Sequence, residues 1–204
     1  MKYYIIAGEA SGDLHGSNLI RNLKLQDADA QFRFFGGDLM AEQAGVKPVM
    51  HYSRMAFMGF VKVMMNLRTI NANMNLCEAD IVAWEPDVVI FIDFAGFNLR
   101  VAKFAKSIGL KTVFYISPKI WAWKQNRIKK IKKYIDKMLT ILPFETEFYK
   151  KFDYEVEYVG NLLLDAIDQF ESGFSQTEDA FRKANGLGDK SIIGLLAGSR
   201  KQEV

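Results

Sequence analysis

Residues 88–98 read VVIFIDFAGFN, in which five apolar residues are followed by Asp93 and a turn of small residues. The apolar run Val88–Ile92 predicts a strand that is covered on both faces, as in a parallel sheet packed between helices. The carboxyl end of this strand therefore falls at Asp93. In open α/β folds the ligand crevice lies beyond these ends, so Asp93 is placed to take a proton from a bound hydroxyl. The alternative is that Asp93 caps the helix that begins near Phe97.

Apolar runs of strand length alternate with segments of helical period along the rest of the chain, which is typical of βαβ units. Helices are predicted at Asp13–Leu25 and Asn98–Ile108. The pattern predicts an α/β fold, a Rossmann-like parallel sheet with helices on both faces. The predicted strands are Tyr3–Ala7, Phe32–Phe35, Val88–Ile92, Thr112–Ile116, Met138–Leu142 and Glu157–Val159.

The composition changes near residue 171, where polar residues and glycines become dominant. We interpret residues 1–170 as one Rossmann-like domain and residues 171–190 as a linker that contains one short helix. Residues Ser191–Leu196 are predicted to form a new strand, followed by the turn AGSR at residues 197–200. Residues 191–204 are therefore expected to begin a second domain, which the chain does not complete.

The composition excludes several classes of protein. Half of the 204 residues are hydrophobic, which is enough to bury a core and argues against disorder. A single cysteine, Cys77, excludes an intramolecular disulfide and fits a reducing compartment. Met1 leads directly into a strand, so no signal peptide is expected, and no apolar run reaches the ~18 residues of a spanning helix. His15 and His51 are far apart, which leaves no metal-ligand spacing.

The net charge of +3 is unevenly distributed. Residues 124–137 hold seven cations and one anion, so this segment carries +6 and the remainder of the chain is acidic. Ile128, Ile131 and Ile135 recur at helical spacing within it, which predicts an amphipathic helix with one buried stripe and a basic outer face. A solvated surface is the simplest interpretation of that face, and binding to nucleic acid or to anionic lipid are the functional alternatives.

Residues 8–13, GEASGD, lie between the first strand and the first helix, where backbone N–H groups at a helix N-terminus can hold an anion. The spacing of Gly8, Gly12 and Gly16 does not match the G-x-G-x-x-G fingerprint, so a dinucleotide site is not predicted. The structural alternative is a tight turn in which Ser11 or Asp13 caps the helix.

Two further segments are rich in aromatic or apolar residues and are candidates for contact with a ligand or with lipid. Residues 117–123, SPKIWAW, follow a predicted strand, and Trp121 and Trp123 could line a sugar or lipid pocket or fill the rim of the domain. Residues 55–67 contain ten hydrophobic residues in thirteen, a segment that is either completely buried or in contact with lipid.

Taken together, these motifs resemble those of the lipid-A-disaccharide synthase family. Its members are inverting glycosyltransferases of the two-Rossmann-domain (GT-B) type. The matching motifs occur in the family's order and extend across the whole chain. They are AGEASGD at residues 7–13, MG at 58–59, ID and FN at 92–93 and 97–98, SPKIWAWK at 117–124, LPFE at 142–145 and GSR at 198–200. The resemblance covers the family's amino-terminal domain and the first strand of its nucleotide-binding domain.

The resemblance implies transfer of 2,3-diacylglucosamine from UDP to 2,3-diacylglucosamine 1-phosphate, which gives lipid A disaccharide 1-phosphate and UDP. Asp93 is the implied general base, and Ser199 and Arg200 would hold the donor diphosphate without a metal or another cofactor. Substrate binding is implied for a larger set: Glu9, Ser11, Gly12, Asp13, Met58, Gly59, Asn98, Ser117, Pro118, Trp121 and Trp123.

The acyl chains of these substrates imply a peripheral enzyme on the cytoplasmic side of the anionic inner membrane of a Gram-negative bacterium, with no nucleic-acid partner. Membrane contact is expected from the 55–67 segment and the basic helix, through Phe60, Met64, Met65, Lys129, Lys130, Lys132 and Lys133.

The chain departs from the family at two points. Where relatives carry D-x-P-D-F-N, this chain has Gly96 in place of the second carboxylate, so the role of base falls on Asp93 alone. Relatives often have G-H where this chain has Gly160-Asn161. Because most of the donor domain is missing, the chain alone is expected to be inactive. The alternatives are a lipid-binding or membrane-docking module without catalysis, or a related GT-B enzyme that acts on UDP-N-acetylglucosamine.

Overall fold

The computed structural model describes residues 1–55 and 67–195, which form a seven-stranded parallel sheet of order β3-β2-β1-β4-β5-β6-β7. Its centre is β1 and β4, which pair in register from Tyr3 opposite Val88 to Ala7 opposite Ile92. The strands are β1 Lys2–Ala7, β2 Gln31–Gly36, β3 Met50–His51, β4 Val88–Ile92, β5 Lys111–Tyr115, β6 Lys137–Thr140 and β7 Glu157–Tyr158.

Helices connect these strands and cover both faces of the sheet. Within residues 1–162 these helices are Ala10–Gln26, Asp38–Ala44, Leu67–Trp84, Ala95–Ser107, Ile128–Tyr134 and Pro143–Lys150, with 3-10 turns at Tyr52–Arg54 and Gln125–Arg127. Two further helices, Leu162–Gly173 and Glu178–Ala184, follow the last strand.

The side chains of β4 show how the sheet divides the core into two layers. Val89 and Phe91 pack on one face against the helices Leu67–Trp84, Ala95–Ser107 and Ile128–Tyr134. Ile90 and Ile92 pack on the other face, in one cluster with side chains of the first two helices. Every residue of β4 is buried, as its unbroken apolar sequence predicts. The predicted fold class, a parallel sheet with helices on both faces, is confirmed.

The predicted strands agree with the structure to within one residue at most ends, and Val88–Ile92 agrees at both. Several elements were not predicted individually, among them one of the two shortest strands and the longest helix. β3 is only two residues long, Met50–His51, too short to show an alternating pattern. The helix Leu67–Trp84 was missed because its apolar side is narrow and asparagines interrupt it: the buried residues are Asn73, Cys77 and Ile81.

The chain divides into two compact units, residues 1–162 and 163–204. The second unit contains most of the helix Leu162–Gly173 and the helix Glu178–Ala184. The strand predicted at Ser191–Leu196 is wrong for residues 191–195, which have no regular secondary structure. A strand needs a neighbour for its backbone hydrogen bonds, and within the described residues nothing pairs with this segment. Ile193 is 95% exposed as a result.

Candidate active site

The direction of the chain across the sheet reverses between β1 and β4. From β1 the chain runs through β2 to β3 at one edge, and then returns to β4 beside β1 and continues to β7. Such a topological switch point is where open α/β sheets bind ligands, in the crevice beyond the carboxyl ends of the strands. Here the crevice is bordered by the loops that follow Ala7 of β1 and Ile92 of β4.

The two loops are in direct contact at Gly8. A Cβ atom at this position would lie 2.4 Å from the ring of Phe94, so only glycine permits this approach. The neighbouring turn is unusual, because Asp93 and Phe94 both have positive φ angles, 44° and 45°. Two consecutive left-handed residues other than glycine are uncommon, and such backbone strain is concentrated at functional sites.

Asp93 occupies this turn with a half-buried side chain. The structure does not support the alternative that Asp93 caps the following helix. That helix begins at Ala95, its N-cap is Phe94, and no side chain caps it. Among residues 1–55 and 67–195, no hydrogen bond to the Asp93 carboxylate is found. The carboxylate is therefore available to a ligand at the switch point.

Asn98 holds this turn in position through hydrogen bonds to backbone carbonyls. It is completely buried, and its Nδ2 donates to the Asp93 carbonyl at 2.8 Å and, more weakly, to the carbonyls of Ile92 at 3.3 Å and Ile6 at 3.4 Å. One amide thus joins the ends of β1 and β4. Its burial and its bonds give Asn98 a structural role beside Asp93, and the substrate binding that the resemblance implies for it stays a prediction.

Asp13 also has a structural role that the sequence did not indicate. Its buried carboxylate accepts hydrogen bonds from the backbone N–H groups of Gly37 at 2.7 Å, Met40 at 3.1 Å and Leu39 at 3.1 Å. Asp13 therefore caps the helix Asp38–Ala44 across space rather than its own helix. Three backbone donors occupy this carboxylate, so Asp13 holds the second helix, and its implied contact with substrate stays a prediction.

The other implied residues of the first loop lie closer to the surface. Glu9 is the half-buried N-cap of the first helix, and Ser11 is exposed in the first turn. Gly12 is buried where the helix crosses the sheet: a Cβ there would be 3.1 Å from the Ala7 Cβ and 3.7 Å from the Ile92 Cγ2. The first turn of the helix therefore rests directly on the carboxyl ends of β1 and β4.

His15, for which the sequence indicates no role, is close enough to Asp93 to be affected by its charge. Desolvation of its half-buried imidazole lowers the pKa of His15 below the ordinary 6.5, and the negative charge of Asp93 opposes that shift. Its Nδ1 is buried and has no hydrogen-bond partner among the described residues. The available signal was its place in the helix that follows the first loop, one turn after Gly12.

The loop after β5 is anchored by Ser117. This side chain is buried, and its hydroxyl forms a 2.7 Å hydrogen bond with the hydroxyl of Tyr149, itself fully buried in the helix Pro143–Lys150. Pro118 is buried beside it. The first turn of the Tyr149 helix is held by Glu145, whose buried carboxylate accepts from the N–H groups of Ile141 and Leu142. The SPK segment is therefore bonded to the helix whose first turn contains the LPFE motif.

The two tryptophans of this loop point to different surroundings. Trp121 is half-buried and packs edge to face on the ring of Phe144 at 5.0 Å between centroids. Trp123 is 59% exposed and lies under cations, with Lys124 Nζ at 4.3 Å and the Arg127 guanidinium at 5.7 Å from its ring centroid. The aromatic pair of Trp121 and Phe144 can offer a wall to a sugar or an acyl chain, whereas Trp123 belongs to the basic surface.

The basic helix Ile128–Tyr134 forms as its sequence predicts. Ile128, Ile131 and Ile135 are buried, and the lysines point to the outside. Lys132 is partly engaged, since its Nζ donates to the carbonyl of Phe152 at 2.6 Å. The exposed cations of this helix are Lys129, Lys130, Lys132 and Lys133.

Several implied site residues lie outside the described residues. They are Met58 and Gly59, the membrane residues Phe60, Met64 and Met65, and the diphosphate pair Ser199 and Arg200. Within residues 1–55 and 67–195, no helix is long and apolar enough to cross a membrane. The same residues contain no group of three His, Cys, Asp or Glu side chains that could hold a metal ion.

Comparison with known proteins identifies one family. The model of the lipid-A-disaccharide synthetase family matches residues 3–204. A lipid-A-disaccharide synthase from Trichlorobacter lovleyi is 41% identical over 202 residues, and one from Coxiella burnetii is 38% identical over 200 residues. The matches cover 98% of this chain but only 51% and 52% of those proteins. The chain therefore spans about half the length of the curated relatives it matches.

Solved structures support the fold. The UDP-GlcNAc 2-epimerase of Methanocaldococcus jannaschii, in complex with UDP-GlcNAc and UDP, matches with a TM-score of 0.65 at 15% identity. That match covers 91% of this chain and 54% of the epimerase. At this identity the likeness concerns the fold alone, one half of a GT-B architecture.

Proposed function

Because the chain belongs to the lipid-A-disaccharide synthetase family, we propose that it forms the acceptor-side half of an inverting glycosyltransferase. The complete enzyme would transfer 2,3-diacylglucosamine from UDP to 2,3-diacylglucosamine 1-phosphate, with lipid A disaccharide 1-phosphate and UDP as products. The observation that carries this proposal is the position of Asp93. It lies at the switch point of the sheet with its carboxylate unbonded among the described residues, in a left-handed turn that Gly8 and Asn98 support.

In this mechanism Asp93 is the general base. Its carboxylate takes the proton of the acceptor's 6-hydroxyl as that oxygen attacks the anomeric carbon of the donor from the face opposite UDP. The oxygen–carbon bond forms while the bond to UDP breaks, which inverts the anomeric configuration to give a β-1,6 linkage. Asn98 acts indirectly, because it holds the backbone carbonyl of Asp93 and so fixes the direction of the carboxylate.

The donor diphosphate would be bound by the second domain, which begins after the linker 171–190. We assign Ser199 and Arg200 to this task on the resemblance, since a guanidinium can neutralise the leaving diphosphate through paired hydrogen bonds. This division of labour means that residues 1–170 bind the acceptor and that the 204-residue chain alone does not catalyse transfer.

We propose that the enzyme works at the cytoplasmic surface of the inner membrane, because its proposed substrates are acylated. Two surfaces support a membrane location: the cations Lys124 and Arg127 around Trp123, and the outer face of the basic helix. An exposed tryptophan next to cations suits an anionic lipid interface. Each lysine or arginine near an anionic surface contributes about 1 kcal/mol to such binding. The same surface could serve a lipid-docking module without catalysis, the alternative function that the activity assay must exclude.

The test is product formation by the family-length protein, supplied with both diacylglucosamine substrates and followed by thin-layer chromatography. We expect a disaccharide product from the family-length protein and none from the 204-residue chain, which should also show no tight UDP binding by titration calorimetry. A family-length protein that binds the lipids but forms no disaccharide would support the docking module. Tight UDP binding by the 204-residue chain would show that the donor site is assigned to the wrong half.

A further inference from the structure

The loop that follows β5 begins beside the Asp93 turn at the carboxyl edge of the sheet. β5 pairs with β4 so that Tyr115 lies opposite Ile92, and Ile116 and Asp93 are the next residues of the two chains. Ile116 has a φ angle of 70°, and Lys124, further along the loop, has one of 56°. A positive φ angle is a true outlier for a β-branched residue, and strained backbone is concentrated at functional sites. The loop between these two residues is therefore a candidate part of the same site.

Arg127 ends this loop as a cation without an anionic partner. It lies in the 3-10 turn Gln125–Arg127, and its side chain is half-buried. Within residues 1–55 and 67–195 that side chain forms no hydrogen bond and no ion pair, and its guanidinium lies 5.7 Å from the ring centroid of Trp123. Desolvation lowers the pKa of Arg127 below its usual value. A guanidinium that has lost part of its hydration and has no counterion is unfavourable, and a bound anion relieves this cost.

Trp123 and Lys124 form a small cationic site together with Arg127. The Nζ of Lys124 lies 4.3 Å from the Trp123 ring centroid, so two cations share one exposed indole ring. Arginine stacks on aromatic rings and binds phosphate oxygens through paired hydrogen bonds, whereas lysine adds a compact positive charge. These groups together suit a phosphate monoester, which is doubly charged and has three terminal oxygens.

The charges of the neighbouring loops favour this side of Asp93 for a phosphate. In the sheet β4 lies between β1 and β5. The loop after β1, residues 8–13, contains Glu9 and Asp13 and no cation, whereas residues 117–127 after β5 contain three cations and no acid. A sugar whose 6-hydroxyl lies at Asp93 carries its 1-phosphate on the other side of its ring, over a neighbouring loop. Repulsion by the first loop and attraction by the second both direct that phosphate to the loop after β5.

We propose that Arg127, with Lys124 and Trp123, binds the phosphate monoester of the sugar acceptor. This inference rests on the proposed function for the identity of the acceptor. The guanidinium donates paired hydrogen bonds to the phosphate, and Lys124 adds its charge from the other cation position on the Trp123 ring. The half-buried Arg127 thereby differs from the exposed lysines of the basic helix, which face lipid in the proposed function. Anionic phospholipid offers similar phosphate chemistry, and the tests compare the two sources.

The first test measures binding by the 204-residue chain, independently of catalysis. The chain has three tryptophans, so labelling with 5-fluorotryptophan gives three 19F NMR signals, which are assigned with tryptophan-to-phenylalanine variants. Glucosamine 1-phosphate should shift the Trp123 signal in a saturable way, and glucosamine without the phosphate should not. Trp84 is the internal reference, because its ring lies near Lys2 at the start of β1, away from the carboxyl edge of the sheet. A Trp123 signal that does not respond to glucosamine 1-phosphate would overturn the proposal.

The second part of this test removes the guanidinium. Arg127→Gln should weaken the binding of glucosamine 1-phosphate about 10-fold or more, as expected for the loss of hydrogen bonds between charged groups. Arg127→Lys keeps the charge but not the paired donors, and should bind more tightly than Arg127→Gln. The matched control is Arg100→Gln, which removes an exposed guanidinium from the helix after Asp93 and should leave binding unchanged. Equal binding by the wild type and by a folded Arg127→Gln variant would refute the site.

Vesicles that contain phosphatidylglycerol separate the two sources of phosphate. Arg127→Gln should lower vesicle binding no more than Lys130→Gln does, because each variant removes one cation from the basic surface. Only Arg127→Gln should also weaken the binding of glucosamine 1-phosphate. An Arg127→Gln variant that loses vesicle binding and keeps its affinity for glucosamine 1-phosphate would assign the arginine to lipid headgroups and overturn the proposal.

Kinetics of the family-length enzyme test the site in the reaction. Arg127→Gln should raise the KM for 2,3-diacylglucosamine 1-phosphate about 10-fold with little change in kcat, because the phosphate is bound equally in the ground state and the transition state. With 2,3-diacylglucosamine, an acceptor that lacks the phosphate, the variant and the wild type should have the same kcat/KM. Losses of the same size with both acceptors would contradict a contact between Arg127 and the phosphate.

Failure of this site and failure of the proposed function give different results. If the family-length protein forms no disaccharide, the proposed function is wrong, and the NMR titration still decides whether Arg127 binds a sugar phosphate. If Asp93→Asn retains full turnover, the proposed base is wrong and the phosphate site stands on its own binding data. If Arg127→Gln alters neither binding nor KM while Asp93→Asn abolishes turnover, the phosphate site is refuted and the base stands.

Discussion

Replacement of Asp13 tests the structural role of a residue of the AGEASGD motif. Its Oδ1 accepts from Gly37 and Met40, and its Oδ2 accepts from Leu39, all within a buried contact between the first two helices. Hydrogen bonds to a charged group contribute about 1.5–3 kcal/mol each, but bonds that share one carboxylate do not add fully. The loss of an N-cap alone costs about 0.5–2 kcal/mol.

From these terms we expect Asp13→Ala to lower the free energy of unfolding by about 3–4 kcal/mol. Asp13→Asn should cost about half as much, because one amide oxygen can keep the bonds to Gly37 and Met40 while the amide nitrogen faces the Leu39 N–H. The assay is urea unfolding of the chain followed by circular dichroism. The matched control is Asp38→Asn in the same helix, whose side chain is 96% exposed and which should change stability by less than about 0.5 kcal/mol.

An Asp13→Ala variant that is as stable as Asp38→Asn would refute this structural role of Asp13. Such a result would mean that water or another group replaces the carboxylate at no cost. Asp13 would then be free for the substrate contact that the family resemblance implies.

Three further predictions concern the loops, the pH dependence and the membrane. Gly8→Ala should destabilise the chain by about 1–3 kcal/mol, because the new Cβ overlaps the Phe94 ring, whereas Gly96→Ala, with open space at its Cβ, should be neutral or slightly stabilising in urea unfolding. Burial lowers the pKa of His15 in the folded state, so the neutral imidazole contributes its full stability above the unfolded-state pKa of 6.5, and this stability is lost as the pH falls towards the folded-state pKa. His15→Gln should remove this part of the pH dependence of the melting temperature. Binding to anionic vesicles should be strong at low salt, and most of its salt dependence should be lost when Lys129, Lys130 and Lys133 are changed to glutamine. A wild-type chain that does not bind these vesicles at low salt would contradict this prediction.

The central part of the fold could be predicted from the sequence because its signals are local. The run Val88–Ile92 is apolar at every position, and a strand buried on both faces requires this. The isoleucine spacing of the basic helix likewise gave its buried side. The Ser191–Leu196 segment shows the limit of such signals. Its composition favours a strand, but strand formation depends on a neighbour, which local sequence does not reveal.

The sequence was enough to predict where Asp93 lies in the fold but not what surrounds it. The order of strand, carboxylate and turn was sufficient to locate Asp93. The roles of Asp13, Asn98 and Ser117 depend on contacts with residues 24–92 positions away in the sequence, such as Gly37, Ile6 and Tyr149. A motif marks such residues without distinguishing one that touches substrate from one that supports the loops. The buried Nδ1 of His15 is a property of the folded chain alone.

The most direct test of the account is the turnover of Asp93→Asn in the family-length enzyme. Asparagine has nearly the same shape and also tolerates a φ angle of 44°, so the fold and thermal stability should be preserved. The amide cannot accept the hydroxyl proton, and we expect kcat to fall by about 100-fold or more. A folded variant with that loss would support Asp93 as the general base. A folded variant with nearly normal turnover would contradict the account and remove Asp93 from the mechanism.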